Sequence, residues 1–248
     1  MEQATAVRIA EDLRTLGVRE GGVLLMHSSL KSLGPVPGGI ETVLAGLRLA
    51  LGEQGTLLLP GLCWEYVDRD HTLFDVRATP TCVGAIPEYF RHLPATMRSL
   101  HPTHSVLGQG PLVGAFFAEH PLDRTPCGPH SPFARLKEYG GQILMLGCGL
   151  RPNTSMHAVE ETLGAPYLFE PTPIGFTLAD DQGRRTQASY RYHAMFPQNY
   201  DRVRPRLLGR GLNEGLVLQA HCHLMDAGAL WHTAAAMLRE DIYCFTKE

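Results

Sequence analysis

The sequence has no long hydrophobic run, no excess of basic residues and few charges. Of its 248 residues 19% are charged and 44% are apolar, and the formal net charge is −3 with the 12 histidines neutral. A membrane-spanning helix needs roughly 18 or more consecutive apolar residues, and a nucleic-acid-binding surface needs a basic stripe. The first residues, MEQATAVRIAEDL, carry early charges and lack the apolar core of a signal peptide. We therefore expect a cytoplasmic globular protein without membrane or nucleic-acid partners.

Cysteines are scattered and form no CxxC pair; they stand at positions 63, 82, 127, 148, 222 and 244. In a domain of this size such a pattern predicts reduced, mostly buried thiols. The fragment His221-Cys222-His223 offers metal-ligand chemistry, but its spacing fits no zinc signature. We expect no bound metal. His221 and His223 share one face of a predicted strand, so a place in the lining of a site is an alternative for them.

Apolar periodicity predicts an alternation of helices and strands. Helices are predicted at 5–18, 39–51, 154–163 and 226–240, and strands at 22–27, 56–60, 142–147 and 215–222. The early strand–helix–strand order predicts parallel pairing. Residues 174–193 alternate on both sides of a DDQG turn, which predicts a β-hairpin. The pattern therefore predicts one α/β domain with an antiparallel annex.

The loop after the first predicted strand, HSSLKSLGPVPGG (27–39), holds three serines, one lysine and three glycines. In open α/β sheets, ligands bind beyond the carboxyl ends of the strands. The loop leads to a helix N-terminus, whose free N–H groups suit a phosphate. It follows neither the GxxxxGK[ST] nor the GxGxxG order, so a diphosphate site and an ordinary βα loop both stay open.

A second polar stretch, MRSLHPTHS (97–105), contains an arginine and two histidines. The Arg98 guanidinium is a planar fork that suits an anionic group. His101 and His104 would share one face only on a helix, which Pro102 disfavours. The alternatives are an anion site and a surface loop with solvated histidines.

The helix after the third buried strand begins within GCGLRPNTSMHAVEE (147–161) and carries an imidazole beside two carboxylates. Residues three and four apart are neighbours on a helix, so His157 can meet Glu160 or Glu161. A carboxylate fixes which imidazole nitrogen faces a substrate, and such a histidine suits a general base. Thr154 lies on the same face and can donate to a developing oxyanion. The alternative is a capping Asn153 or Thr154 followed by exposed charges.

Two weaker features follow the second strand. The 65–75 segment has an acidic bias that could attract a cationic substrate or belong to a solvated loop. Trp64 and Tyr66 could form the floor of a pocket or part of the core.

Four stretches occur together in a recognisable order: LMHSSLKSLGPVPGG, FDVRATPTCVGAIPEYFR running on to RSLHPTHSV, HPLDRTPCGPHSPFARL and GGQILMLGCGLRPNTSMHAVEE. In content, order and spacing they resemble the aminoglycoside 3-N-acetyltransferases, the antibiotic N-acetyltransferase family. The resemblance is close over residues 5–165 and loose over the last third of the chain.

The resemblance implies a three-layer α/β/α sandwich around a mixed, largely parallel sheet with an antiparallel hairpin annex. It implies one domain, 1–248, in which 166–225 form a subdomain that shapes the substrate site. The donor would be acetyl-coenzyme A. The acceptor would be an amine on an aminoglycoside, a related amino sugar or another small amine. Transfer would be direct, by a monomer or homodimer without a metal.

The resemblance also assigns roles to residues of this chain. His157 would be the general base, Thr154 the hydroxyl beside the thioester and Glu160 the carboxylate that orients the base. The expected coenzyme-binding residues are Ser28, Ser29, Leu33, Gly34, Arg98 and Ser105. The expected acceptor-binding residues are Asp75, Glu161 and His193. The segment GLCWEYVDRDHTLFD is shorter than its counterpart in drug-resistance enzymes, which leaves the acceptor open.

Two other functions remain as alternatives. One is a metal-dependent hydrolase that uses His101, His104, His157, His221 and His223. The other is a member of the same family that binds coenzyme A with little turnover.

Overall fold

The computed structural model describes residues 1–247. The helices are α1 (Glu2–Leu16), α2 (Gly39–Leu51), α3 (Ala85–Arg91), α4 (Val113–Phe117), α5 (Pro132–Arg135), α6 (Ser155–Thr162), α7 (Arg204–Leu207) and α8 (Ala227–Glu240). The strands are β1 (Val23–Ser28), β2 (Thr56–Pro60), β3 (Leu73–Asp75), β4 (Met97–Arg98), β5 (Val106–Gln109), β6 (Gln142–Leu146), β7 (Ile174–Ala179), β8 (Arg185–Tyr190), β9 (Leu212–Val217) and β10 (Ala220–Asp226). None of the described helices is long and apolar enough to cross a membrane.

The main sheet is mixed, with the strand order β4-β5-β2-β1-β6-β10-β9. Its centre is parallel, because β1 pairs with β2 on one side and with β6 on the other. The outer strands pair antiparallel, β5 with β2 and β4, and β10 with β6 and β9. Short connections join β4 to β5 and β9 to β10, and such connections allow only antiparallel pairing. The expectation of a largely parallel sheet is therefore wrong outside the central three strands.

The range 215–222, predicted as one strand, contains the end of β9, a turn and the start of β10. β9 and β10 form a hairpin in which Val217 pairs with Ala220. Leu218 takes the left-handed conformation at the turn, with φ 52°. Turns of this kind usually carry Gly, Asn or Asp, so the residue type at this position does not signal the turn. Both strands belong to the main sheet, so the predicted 166–225 subdomain contributes strands to the main sheet as well as to the hairpin annex.

Helices cover both faces of the main sheet, which confirms the three-layer sandwich. On β1, Leu24 and Met26 point to the core formed with α1, α2 and α3. Val23 and Leu25 point to the other core, formed with α4, α5, α6 and α8. This alternation follows from the period-two side-chain pattern of a strand buried on both faces.

The annex is a three-stranded sheet of order β3-β7-β8. Its hairpin, β7 with β8, is antiparallel as predicted. β3 joins in parallel, so the annex is mixed and includes residues from before the predicted subdomain. Phe74, Phe176, Leu178 and Tyr190 form much of its own small core.

The register of the central strands sets the position of the candidate site. Ser28, the last residue of β1, is opposite Leu146, the last residue of β6. The chain then turns at Gly147, which has φ 70° and packs so closely that a Cβ there would lie 2.5 Å from Ser32 Cβ. This turn brings the beginning of α6 to the carboxyl edge of the sheet, beside the loop after β1.

Candidate active site

The first turn of α6 presents an imidazole–carboxylate pair. Asn153 provides the cap, since its Oδ1 accepts a hydrogen bond of 3.1 Å from the Ser155 N–H. Thr154 makes no capping hydrogen bond with its side chain within the described chain. One turn on, His157 Nδ1 lies 3.0 Å from Glu160 Oε2. The structure thus places Glu160, and not Glu161, against His157.

Glu160 is completely buried and receives two phenolic hydrogen bonds. Tyr200 Oη donates to Oε2 at 2.8 Å and Tyr167 Oη donates to Oε1 at 2.9 Å. Burial, followed by the charge of Glu160, raises the pKa of both phenols, so they remain donors at every relevant pH. A buried carboxylate is tolerated only when it is paired and hydrogen-bonded, and these donors meet that condition.

The carboxylate also decides the tautomer of His157. A carboxylate acceptor at Nδ1 favours the proton on that nitrogen, which leaves the Nε2 lone pair available. Nε2 lies 3.3 Å from Gln198 Nε2, on the cleft side of the ring. His157 can therefore accept a proton from a molecule bound in the cleft.

His157 lines a cleft of about 350 Å³ between α6 and the segment that follows the β7–β8 hairpin. The walls are largely apolar and aromatic: Leu62, Trp64, Val83, His104, Arg151, Pro152, Thr154, His157, Tyr192, His193, Ala194, Met195, Phe196, Gln198 and Tyr200. Small-molecule sites have this character, with apolar walls and a few placed polar groups. Trp64 thus has the pocket role that the sequence left as one of two alternatives.

A second, smaller cavity of about 80 Å³ lies at the tips of β1 and β2. Its wall includes His27, Ser28 and Cys148. The two cavities share four lining residues, Leu62, Val83, Pro152 and Thr154. Thr154 thus stands at the junction between the tip of the first strand and the cleft that His157 faces.

The predicted coenzyme-binding loop has mixed accessibility. Ser28 lines the small cavity. The Ser32 hydroxyl donates to the Gly147 carbonyl at 2.8 Å and accepts a hydrogen bond of 2.9 Å from the Ser29 hydroxyl. The Leu33 side chain is buried in the core, so only its backbone can meet a ligand. Gly34 has φ 75°, and a Cβ there would lie 2.6 Å from the Gln219 side chain.

Arg98 and Ser105 form an internal clamp. Arg98 donates to Ser105 Oγ at 2.9 Å, to the Gly61 carbonyl at 2.9 Å and to the Thr79 carbonyl. Its guanidinium also packs over the Phe74 ring at 4.9 Å. With these partners the guanidinium connects the end of β2 to the annex. The N–H groups that were predicted to bind an anion already donate to groups within the protein.

The three predicted acceptor-binding residues are separated. His193 lines the cleft, with its ring centroid 4.6 Å from that of His157. Glu161 lies behind it, since its Oε1 is 2.9 Å from His193 Nε2. Asp75 is elsewhere: its carboxylate accepts from the N–H groups of Arg77 and Ala78 at 2.8 and 2.9 Å. Asp75 is a turn-capping residue, outside the described lining of the cleft.

The interpretation of 97–105 as a loop with solvated histidines is wrong, because His101 and His104 are buried. His101 Nδ1 accepts from the His104 N–H at 2.9 Å, and His104 Nδ1 contacts Thr103 Oγ1 at 2.9 Å. Burial lowers the pKa of His101 to about 3. These neutral rings organise the loop, and His104 also contributes to the cleft wall.

Comparison with known proteins decides the family. The sequence profile of the aminoglycoside 3-N-acetyltransferases matches residues 25–239. The chain belongs to this family. Aminoglycoside N(3)-acetyltransferase VII of Streptomyces paromomycinus is 35% identical, with 96% of this chain and 92% of the relative covered. Aminoglycoside N(3)-acetyltransferase IX of Micromonospora chalcea is 27% identical, with 93% and 92% covered.

Solved acetyltransferases have the same fold. A histidine-to-alanine mutant of aminoglycoside acetyltransferase AAC(3)-IVa in complex with a gentamicin superposes with a TM-score of 0.84 at 30% identity, covering 98% of this chain and 91% of that one. The AAC-IIIb binary complex with CoASH superposes with a TM-score of 0.83 at 27% identity, covering 98% of both chains. These findings confirm the family and the fold predicted from the four motifs.

Membership of the acetyltransferase family overturns the metal-dependent hydrolase, and the geometry agrees. His223 Nδ1 is paired with Glu214 Oε1 at 2.8 Å on β10, and its neighbour His221 is exposed. Neither belongs to the described lining of the cleft. Across residues 1–247, no three or more His, Cys, Asp or Glu side chains are grouped so that they could hold a metal ion.

The sequence predicts that the stretch PYLFEP (166–171), which contains Tyr167, helps to shape the acceptor pocket, but it gives Tyr167 no contact with Glu160. It does not identify Gln198 and Tyr200 as parts of this acetyltransferase site. Tyr200 and Gln198 lie 43 and 41 positions from His157 along the chain. No local spacing connects them to the helix.

Proposed function

We propose that the protein transfers the acetyl group of acetyl-coenzyme A to an amine of an aminoglycoside or a related amino sugar. The observation that carries this proposal is that the His157–Glu160 pair borders a cleft that shares Thr154 and three other lining residues with the β1 cavity. The narrow cavity suits the thin pantetheine arm, and the wide cleft suits the acceptor. The thioester would then lie at the junction, beside Thr154.

The His157–Glu160 pair activates the acceptor. The amine nitrogen attacks the thioester carbonyl, and Nε2 of His157 takes a proton from that nitrogen as the C–N bond forms. Glu160 holds the Nδ1–H and stabilises the imidazolium that results. A placed base of this kind contributes about 10²–10⁴-fold to the rate.

Thr154 stabilises the negative charge that develops on the carbonyl oxygen. Its hydroxyl has no capping duty, so it is free to donate to that oxyanion. An oxyanion donor contributes about 3 kcal/mol. The intermediate then collapses: the C–S bond breaks, the sulfur leaves with the electron pair, and the imidazolium returns a proton to the thiolate.

The surroundings of the cleft support a cationic acceptor with an apolar framework. Tyr192 lines the cleft; burial, then the nearby charges of Asp68 and Glu170 among other groups, raises its pKa to about 12. The carboxylates of Asp68 and Glu170, whose charges act on Tyr192, can attract ammonium groups. The aromatic walls offer flat apolar surfaces for the faces of sugar rings.

Two measurements test the function. A thermal-shift titration with acetyl-coenzyme A should raise the melting temperature, since a ligand that binds the native state stabilises it. Thiol release should then accompany addition of gentamicin, apramycin or glucosamine. Stabilisation without thiol release from any of them would favour a coenzyme A-binding protein with little turnover. No stabilisation at saturating donor would contradict the proposal.

We further propose that this enzyme acts in the cytoplasm, as a monomer or homodimer, with 1–248 as one domain. All six cysteines are free thiols, which is typical of proteins in reducing compartments. Light scattering of the purified protein measures the mass of the assembly, and a species larger than a dimer would contradict this part. Within the domain, we assign the shaping of the acceptor site to residues 192–200 of the predicted 166–225 subdomain, together with Trp64.

A further inference from the structure

The proposed reaction releases more protons than one base accepts at a time. An alkyl amine is largely an ammonium at pH 7, as the lysine pKa of about 10.4 illustrates. Acetylation converts R–NH₃⁺ and the thioester into the amide, the free thiol and one proton, so two N–H bonds break. His157 passes one of these protons to the departing thiolate. The other must leave the ammonium before the nitrogen can attack.

A second imidazole–carboxylate pair lies beside the first. His193 Nε2 is 2.9 Å from Glu161 Oε1, and both side chains are more than nine-tenths buried, with 9% and 6% exposed. The His193 and His157 rings lie 4.6 Å apart, and both line the cleft. Consecutive residues of α6, Glu160 and Glu161, thus each hold one of two neighbouring histidines.

The two pairs use opposite imidazole nitrogens. His157 contacts its carboxylate through Nδ1, and His193 contacts its own through Nε2. Among residues 1–247, His193 Nδ1 is buried and has no hydrogen-bond partner. A buried polar atom left unpaired costs about 1–3 kcal/mol. An Nε2–H donated to Glu161 leaves Nδ1 as a bare, buried lone pair on a ring that lines the acceptor cleft.

The charges around the second pair favour one shared proton. Glu161 accepts from the Cys127 N–H at 2.7 Å, and Thr125, Arg191 and Asp123 also face it. Burial is the main reason that the pKa of Glu161 rises to about 7.

His193 faces three other imidazoles, those of His157, His104 and His101. Burial, then these rings, lowers the pKa of His193 well below its usual value. An isolated second positive charge is thus disfavoured, whereas a proton balanced by Glu161 leaves the pair neutral.

We propose that His193, held by Glu161, takes the surplus proton of the acceptor ammonium before His157 acts. This inference rests on the proposed function. The N–H bond of R–NH₃⁺ breaks, its electrons stay on nitrogen, and the proton joins His193 Nδ1. The neutral amine then attacks the thioester with His157 as base. After product release, the second pair gives its proton to water. His193 is thus a second catalytic residue, and Glu161 is its positioning residue.

Two variants test the second pair, with gentamicin as acceptor and thiol release as the signal. Both His193→Asn and Glu161→Gln should lower kcat/KM at pH 7, His193→Asn by about 100-fold, the lower end for a lost base. The defect should shrink at least tenfold at pH 9, because a much larger share of the acceptor is then uncharged and carries no surplus proton. His223→Asn, on β10 outside the described cleft lining, is the matched control and should match the wild type at both pH values.

The outcomes separate this inference from the proposed function. An inactive wild type would contradict the function itself. An active wild type with an equal defect at pH 7 and pH 9, or with no defect in either variant, would overturn the second pair alone. If His193→Asn loses the thermal shift with coenzyme A through misfolding, the isosteric Glu161→Gln decides the matter by the same pH comparison.

Discussion

The hydroxyl of Tyr200 lies 2.8 Å from Glu160 Oε2, and the same hydroxyl lies 3.0 Å from His157 Nδ1. A residue from the segment after the annex therefore braces the carboxylate and the ring that α6 presents. The His157–Glu160 pair depends on this contact, because Glu160 is fully buried and bulk water cannot replace the Tyr200 hydroxyl as a hydrogen-bond donor.

Tyr200→Phe should weaken both stability and turnover. A hydrogen bond to a buried charged group is worth about 1.5–3 kcal/mol, so the free energy of unfolding should fall by about that amount. Without the Tyr200 hydroxyl the His157 ring is less firmly oriented, so kcat should fall by about tenfold or more, with KM for the acceptor little changed. Urea denaturation and steady-state kinetics measure the two effects. Tyr243→Phe, at an exposed position, is the control. A fully stable and active Tyr200→Phe would refute the brace.

His157→Ala should lower kcat by about 10²–10⁴-fold, the range for loss of a general base. Affinity for coenzyme A should stay near that of the wild type, because the ring faces the acceptor side of Thr154. Thiol release measures the first quantity and calorimetric titration of coenzyme A the second. His221→Ala, at an exposed site on β10, should behave as the wild type. Retention of most activity in His157→Ala would remove it from the role of base.

Ser28→Leu should obstruct donor entry. The side chain lines a cavity of only about 80 Å³, so a larger group fills the space assigned to the pantetheine arm. We expect KM for acetyl-coenzyme A to rise at least tenfold, which corresponds to about 1.4 kcal/mol. The same substitution at Ser189, which is exposed on β8, should leave KM unchanged. An unaltered KM in Ser28→Leu would place the donor elsewhere.

Glu161→Gln should change how stability depends on pH. The native pKa of Glu161 is about 7, raised from 4.5 chiefly by burial. Between these values the native protein keeps a proton that the unfolded chain releases, so this group makes stability fall as pH rises. The glutamine side chain does not titrate, so the variant lacks this fall in stability with rising pH.

The free energy of unfolding of the variant should therefore rise relative to that of the wild type as pH rises from 5 to 8. The difference should reach about 3 kcal/mol, since each pKa unit corresponds to 1.36 kcal/mol. Urea unfolding at the two pH values measures the gain. A stability difference that does not vary with pH would show that the carboxyl titrates normally.

Local patterns were enough to predict the framework. The apolar runs that form β1, β2 and β6 are buried on both faces, and such strands carry no alternation that could be misinterpreted. Helical spacing also brought His157 within reach of a carboxylate. It could not distinguish Glu160 from Glu161, because the two differ by one position in helix phase. The distinction comes from Tyr200 and His193, which reach α6 from a distant segment.

Contacts inside the protein also engage two side chains that the sequence assigned to ligands, and their ligand-binding roles stay predictions. Arg98 looked free for an anion, but its acceptors are carbonyls at Gly61 and Thr79, 37 and 19 positions away. Asp75 looked like a substrate ligand, but it caps the next turn of its own loop. In each case the side-chain chemistry was predicted correctly, and the partner was inside the protein.

The most direct measurement is a crystal structure of the protein with coenzyme A and gentamicin bound. We predict that the coenzyme sulfur lies beside Thr154 at the junction of the two cavities. An acceptor amine should lie within hydrogen-bond reach of His157 Nε2, about 2.6–3.2 Å. A sulfur that lies outside this junction, for instance next to Arg98, with no acceptor amine near His157, would contradict the account.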